Sequence, residues 1–376
     1  MKYRLDDIVT INNNSIKKEY FGAIDYLDTS SVFENSFDQP VHFNTSKEAP
    51  SRAKRLACIG DTVISTVRPN MHHLGFIDEK LVNSVFSTGF AIVEPNTDLV
   101  DPYYLFLFLS SDVVTRELQS IGENSTSTYP SIKPSDIKKL IIDLPKLNEQ
   151  RRISKRIKCF EDKIKLNSQI NDNLLELART YYQSIIDTRD KEKQMISNIA
   201  DSVVTGKTPS TKDESNYGYD VPFITIPDMH SQVFTTQTAR YLSKKGADSQ
   251  IKKYLPPYTL SVSSIGTPGL VTINPVEAQT NQQINSIIAE KEKIWYLFLA
   301  FDSLKKYIKN MGSGGSTILN LNKSNFKKIE IDWPSNNDTL VEINKFLDPI
   351  FMSILNNQQE IDNLVIIRDY LLSELL

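Results

Sequence analysis

The sequence predicts an α+β protein: two globular units of mixed helix and sheet in tandem repeat, separated by two long coiled-coil helices. Three observations carry that prediction. The chain repeats itself about halfway along; two stretches carry apolar residues at alternating spacings of four and three; and the remainder mixes short extended runs with short helical ones.

The repeat is the firmest of the three. "DIKKLIIDLP" ends at Pro145 and "NFKKIEIDWP" at Pro334, 189 residues later. "YLF" recurs from Tyr104 to Tyr296, 192 residues on, and "NSQINDNL" from Asn167 matches "NQQEIDNL" from Asn357 at an offset of 190. "LDDIVTI" near the start is echoed by "ISNIADSVV" from Ile196. A near-constant offset in one order indicates two related halves rather than a solenoid, whose period would be far shorter. The expected division is residues 1–145 and 191–334 as globular units, with helical spacers at 146–190 and 335–376.

Length and composition agree. The 376 residues suffice for two or three domains. With 40% hydrophobic and 24% charged residues the chain falls in the globular range. Its longest apolar runs, "YYLFLFL" and "WYLFLAF", are too short to span a membrane, and "MKYRLDDIVTI" lacks the apolar centre of a signal peptide, so a cytoplasmic location without membrane contact is expected. Cys58 and Cys159 form no CxxC pair and are expected to be ordinary reduced thiols. The net charge of −3 is awkward for a chain that would hold nucleic acid alone.

In chain order, "DTVISTV" and "FAIVE" read as strands and "PYYLFLFLSSDVVTREL" as short helix. After Pro145 the seam positions Ile153, Ile157, Phe160, Ile164, Leu174, Ala178, Tyr181 and Ile185 define a heptad helix, with Asn167 and Asn171 in the gaps. Residues 203–230 open the second globular copy with turn-formers and "PFITI", followed by the strands "YTLSVSSIG" and "LVTINP" and the helix "KIWYLFLAFDSLKKYIKN". After Pro334 the second seam runs through Leu340, Ile343, Leu347, Ile350, Ile354, Leu364, Leu371 and Leu375, with Asn357 and Arg368 in the gaps. A seam asparagine fixes register at some cost in stability; Asn167 and Asn357 either do this or face solvent at a kink. Pro349 should kink the second helix or mark a restart.

Catalytic patterns are incomplete. "VVTGKT" lacks the first glycine of a phosphate-binding loop, Asp201 standing in its place. "LPPY" at residues 255–258 resembles a methyltransferase tetrapeptide, but Leu255 can orient no amino group, so a turn into a strand is expected. "GSGGS" at residues 312–316 is too irregular for a dinucleotide fingerprint. His42, His72, His73 and His230 show no metal-ligand spacing, so neither metal nor bound cofactor is expected, and no catalytic constellation favours an enzyme.

Binding chemistry is easier to find. In the first unit "PSRAKRLACIGDTVISTVRPN" gathers Arg52, Lys54, Arg55, Arg68 and Asn70 among hydroxyl side chains. In the second, Lys207, Thr208, Ser210, Lys212 and Tyr217, with Asn281, Gln282 and Gln283 of "TNQQIN", offer the same chemistry. Arg and Lys suit phosphates and guanine edges, Asn and Gln suit adenine, and any one of these residues could instead be surface decoration. The basic run Arg151, Arg152, Lys155, Arg156, Lys158, Lys163 and Lys165 is either a solvated helix face or a phosphate contact.

These pieces together resemble the specificity subunits of type I restriction-modification systems. The resemblance covers essentially the whole chain. It rests on the duplicated layout, on "TGKTPSTKDESNYGYDVPFITIPDM" opening one target recognition domain, on "SRAKRLACIGDTVISTVRPN" inside the other, and on "LPKLNEQRRISKRI" leading into the helix. It implies double-stranded DNA as ligand, each recognition domain reading half of a split site, and two antiparallel helices acting as a ruler. A helix of about 45 residues would be roughly 67 Å long. It further implies docking of two methyltransferase subunits, which hold S-adenosylmethionine and flip out the adenine, and of restriction subunits using ATP and Mg, with no cofactor on this chain. The second helical segment looks short, and its start, "NNDTLVEINKFL", lacks the Glu149-Gln150 pair of the first. A coiled-coil scaffold that binds protein or carbohydrate without DNA is the alternative.

Overall fold

A computed structural model describes residues 1–17, 19–125, 128–230, 232–305, 308 and 322–375. The glycine-rich residues 312–316 lie outside the described residues. Two compact units result, one of residues 1–161 with 367–376, the other of residues 162–366.

In the first unit Lys2–Arg4 pairs antiparallel with Ile141–Asp143, so the two ends of the globular portion are tied together. An antiparallel sheet follows in the order Val9–Ile11, Phe90–Pro95, Thr62–Ser65, Leu74–Phe76. A second, mixed sheet runs Val41–Phe43, Ile24–Leu27, Val85–Ser87, Ala53–Leu56, with the middle two strands parallel. "PYYLFLFL" is the helix Pro102–Leu109, capped by Asp101, whose side chain accepts from the Tyr104 N–H at 3.0 Å. It is apolar on nearly all sides because it is enclosed, Tyr104, Leu105 and Leu107 being buried between the sheet and the helix Asp112–Glu123. Cys58 and Cys159 are exposed and unbridged.

The second unit repeats this plan. Lys191–Met195 pairs with Glu330–Pro334, each 189 residues beyond its counterpart. Its antiparallel sheet runs Ser202–Thr205, Ile284–Ile288, Thr259–Ser263, Val271–Asn274, the same order as in the first unit. Tyr241–Leu242, Tyr217–Ile224 and Gln279–Thr280 form its smaller sheet, again with a parallel pair. "LPPY" is the expected turn into a strand: Tyr258 takes φ +61° immediately before Thr259–Ser263. The core gathers on the helix Lys291–Ser303, where Trp295 stacks on Phe351 with ring centroids 4.8 Å apart and donates Nε1–H to Asp348 at 3.0 Å.

The first long helix is Leu147–Thr188, 42 residues, and the second is Asn337–Leu375, 39 residues. At ~1.5 Å per residue they measure about 63 and about 58 Å, so the second segment is not markedly shorter. Every first-helix seam position from Ile153 to Ile185 is buried or half-buried. Within the second unit the helices run antiparallel. Asn167 donates to Glu360 at 2.8 Å, Asn357 to Asn171 at 2.9 Å, Tyr181 stacks on Phe346, and Arg189 pairs with Glu342. Asn167 is 1% exposed, so it belongs to the seam and does not face solvent.

The second helix runs on through Pro349, so the proline marks no restart. It sits on the exposed face, where the Lys345 carbonyl it leaves without an N–H donor can be hydrated, while Asp348 and Phe351 on either side are held by Trp295.

The two helix starts differ as the sequence indicated. Gln150, 1% exposed, accepts from the Asp101 N–H at 2.8 Å and donates to the carbonyls of Leu99 and Pro145. Its repeat counterpart is Leu340, buried in the apolar core of the second unit.

Candidate nucleic-acid interface

In the second unit the candidate residues converge because one strand passes close to another segment. Ser202–Thr205 ends at Gly206, and a Cβ there would lie 2.1 Å from the Asn281 carbonyl oxygen and 2.3 Å from that of Thr280. The glycine of "TGKT" thus permits close backbone approach. Just beyond it the Lys207 N–H donates to the Thr280 carbonyl at 2.9 Å, and the Thr208 hydroxyl donates to the Gln282 side chain at 2.6 Å.

Asn281 and Gln283 close the turn on each other. The Gln283 N–H reaches the Asn281 side chain at 3.0 Å, and the Asn281 amide reaches the Gln283 side chain at 3.2 Å. A third loop joins where the Ser264 N–H donates to the Gln283 carbonyl at 2.8 Å and Asn285 donates to the Ser264 hydroxyl at 2.7 Å. The result is a rim of three loops at one end of the sheet, with Lys207 and Gln282 exposed. Such a rim presents amide, hydroxyl and ammonium groups together, the set that contacts base edges and phosphates.

Ser210, Lys212 and Tyr217 lie on the adjoining loop. That loop closes on itself, since Asn216 donates to the Ser210 carbonyl at 3.1 Å and the Tyr217 hydroxyl to the Pro209 carbonyl at 3.1 Å. Tyr217 is thereby committed to holding the loop, while Ser210 and Lys212 remain exposed on it.

The first unit builds its rim on equivalent strand ends. The Thr66 N–H and hydroxyl both donate to the Gly89 carbonyl at 2.8 Å, and the Thr88 N–H to the Arg52 carbonyl at 2.8 Å. Arg68 is held in the left-handed region at φ +51°, with its N–H on the Pro130 carbonyl at 2.8 Å. Its guanidinium carbon stands 4.0 Å from the centre of the Tyr129 ring. Such stacking fixes the plane of an exposed guanidinium and leaves its N–H edge available. Asn70 is anchored beside it by its N–H to the Gln119 side chain at 3.2 Å.

Lys54 and Arg55 lie further along Ala53–Leu56. Lys54 is exposed; Arg55 is half-buried, with its Nε enclosed and unpaired among the described residues. Arg52, Arg68 and Asn70 are therefore brought to one rim, and Arg55 is drawn into the sheet. Part of the basic helix run is spent locally: Arg152 pairs with Glu149, Lys163 with Glu360, and Lys158 lies over Tyr103.

Several rim residues escaped the sequence reading, notably Thr66, Tyr129, Ser264 and Lys253, whose ammonium donates to the Thr205 carbonyl at 2.8 Å. Aligning "STVRP" with "SSIGTP" across the repeat would have exposed Ser264. Nothing local marks Tyr129 or Lys253. Asp61 stands at the opposite end of Thr62–Ser65 from the rim; burial pushes its carboxyl up to about 6, with the nearby Glu94 adding to the rise. Among the described residues no helix is long and apolar enough to cross a membrane.

Comparison with known proteins gives one consistent picture. The sequence model of the type I restriction modification DNA specificity domain matches twice, over residues 1–176 and 189–364. The type I restriction enzyme HindI specificity subunit of Haemophilus influenzae is 32% identical over 454 residues, spanning 100% of this chain and 98% of that protein. The MjaIX specificity subunit of Methanocaldococcus jannaschii is 31% identical over 153 residues, 39% of this chain and 35% of that one. The crystal structure of a type I restriction-modification system S subunit from M. genitalium shares the fold at a TM-score of 0.62 and 14% identity, covering 99% of this chain and 94% of the other.

Proposed function

The chain belongs to the type I restriction-modification DNA specificity family, whose members are non-catalytic DNA-recognition subunits, and from that membership we propose that its two rims each read one half of a bipartite site. Recognition of DNA sequence within a type I system follows from the family, and the alternative of a scaffold without DNA contact is set aside by it. The observation that supports two readers is the recurrence of one strand order in both units, with exposed polar and basic side chains at the same strand ends.

On this reading residues 1–145 and 191–334 are the recognition domains, and residues 146–190 and 335–376 are spacers that set the distance between half-sites. Arg52, Arg68 and Asn70, with Lys54 and Arg55 behind them, serve the first half. Lys207, Thr208, Asn281, Gln282 and Gln283, flanked by Ser210, Lys212 and Tyr217, serve the second. The helices dock two methyltransferase subunits in the cytoplasm, which bring S-adenosylmethionine, and restriction subunits bring ATP and Mg. Basic surface on these partners offsets the net charge of −3.

The test is to express the chain with the neighbouring methyltransferase in a methylation-free host and map modified adenines. A split motif with a fixed unspecified spacer is expected. Exchanging residues 1–145 for the first domain of another family member should change one half only, and a change in both halves would end the modular reading.

A further inference from the structure

The helix Lys323–Lys327 of the second unit packs against Ser202–Thr205, the strand that leads into the rim. Lys253 reaches the end of that strand and donates to the Thr205 carbonyl at 2.8 Å. Lys253 thus stands beside Gly206, with Lys323 and Lys327 near it on the helix that flanks the strand. None has a carboxylate within 4.0 Å among the described residues. The undescribed residues 306–307 and 309–321 contain no Asp or Glu, so the sequence offers no neutralising side chain there either.

The first unit carries a partly neutralised version. Its matching helix, Pro134–Lys139, lies 189 residues earlier and carries Asp136, which accepts from the Lys133 N–H at 2.9 Å and pairs with Lys139 at 3.3 Å. The second unit has Asn325 at that position, and Lys323 where the first has Pro134. Because Asn322 stands where the first unit has Lys133, each segment carries three lysines, and only the first carries a carboxylate among them. The Lys323 ammonium is held below the usual lysine range by burial, and by Lys327 and Lys253 nearby, as befits cations gathered without a counter-charge.

We propose that Lys253, Lys323 and Lys327 form a phosphate-gripping site on the second unit, contacting the DNA backbone beside the bases its rim reads, with no equivalent at the matching place in the first unit. This rests on the DNA-reading function proposed above and deepens it: it assigns these side chains to position rather than to sequence, so they set affinity and salt dependence and leave the motif unchanged.

The experiment measures binding of the full chain, assembled with the methyltransferase, to a random-sequence duplex by fluorescence anisotropy across salt concentrations. Lys323→Gln/Lys327→Gln should reduce the slope of log K against log salt by about 1.8, which is roughly 12-fold less affinity lost between about 50 and 200 mM salt. Lys323→Arg/Lys327→Arg should keep the slope, and Lys138→Gln/Lys139→Gln should leave it unchanged. Melting curves establish that each variant is folded. An unaltered slope in the folded Gln variant, or an equal loss from the first-unit pair, overturns the assignment. A wild-type complex with no salt-sensitive duplex binding would instead bring down the DNA-reading function itself.

Discussion

Replacing Gly206 with alanine tests how the second rim is built. The added Cβ would meet two carbonyl oxygens at 2.1 and 2.3 Å, and the Thr280 hydroxyl oxygen at 2.3 Å, against the roughly 3.5 Å at which non-bonded heavy atoms pack best. Two of the three obstacles are backbone, so no side-chain rotation relieves the clash. The strand and the "TNQQIN" segment must separate by about 1 Å, breaking the bonds from Lys207 N–H to Thr280 and from Thr208 to Gln282. Overpacking of this kind costs about 1–3 kcal/mol, and this site should lie at the upper end. For a unit of this size that is a fall of about 6–12 °C in melting temperature. Calorimetry reads the stability and methylation mapping reads the function, where the second half of the motif should relax or vanish while the first persists. Wild-type melting together with an intact second half-site would refute the claim that close backbone approach shapes the rim.

Arg68→Ala should weaken cognate binding by about 1–3 kcal/mol and relax one position in the first half-site, and Arg68→Lys should not restore it because an ammonium lacks the planar fork stacked on Tyr129. Equal weakening on all sequences would reassign Arg68 to the phosphate backbone. The Asp61 carboxyl, raised from 3.8 to about 6, holds its proton more tightly in the folded state than in the unfolded chain. Its contribution to stability is therefore complete below about pH 4 and is lost as the pH rises through about 6. Asp61→Asn should flatten that decline and stabilise the first unit at pH 8 by up to about 3 kcal/mol, measured by denaturant unfolding across pH; parallel curves for the two proteins would contradict this.

The repeat was legible because it is written in contiguous residues. The 189-residue offset between Pro145 and Pro334 reappears in the paired strands that tie off each unit. The helix seam was equally open, since heptad spacing is local, down to the asparagines that bond across it. The rims were only half visible. Side-chain chemistry singled out Lys207 and Gln282 in the sequence, but their union depends on a hydrogen bond spanning 74 residues from Thr208 to Gln282, which no local pattern encodes. "TLSVSS" alternates apolar and hydroxyl residues as a half-exposed strand would, yet all of Thr259–Ser263 is buried; the hydroxyl face is covered, with Ser261 bonded to Ser286 at 2.9 Å. Pro349 suggested a restart because propensity ignores which face a residue occupies. Lys253 and Lys323 are distant in sequence, and only folding makes their charges neighbours.

Leu371 and Leu372, at the far end of the second helix, pack against the core of the first unit. Ile367 follows Glu161 by 206 positions, so the two parts of that unit leave the ribosome well apart. At about 5–20 residues per second the wait is roughly 10–40 s. During translation the first unit stands as an unfinished fold with an apolar patch uncovered, while the second can close as soon as its own helices emerge. The protein is thus completed in the reverse of the order in which its halves are synthesised, and premature termination near the C-terminus would damage the half that was made first.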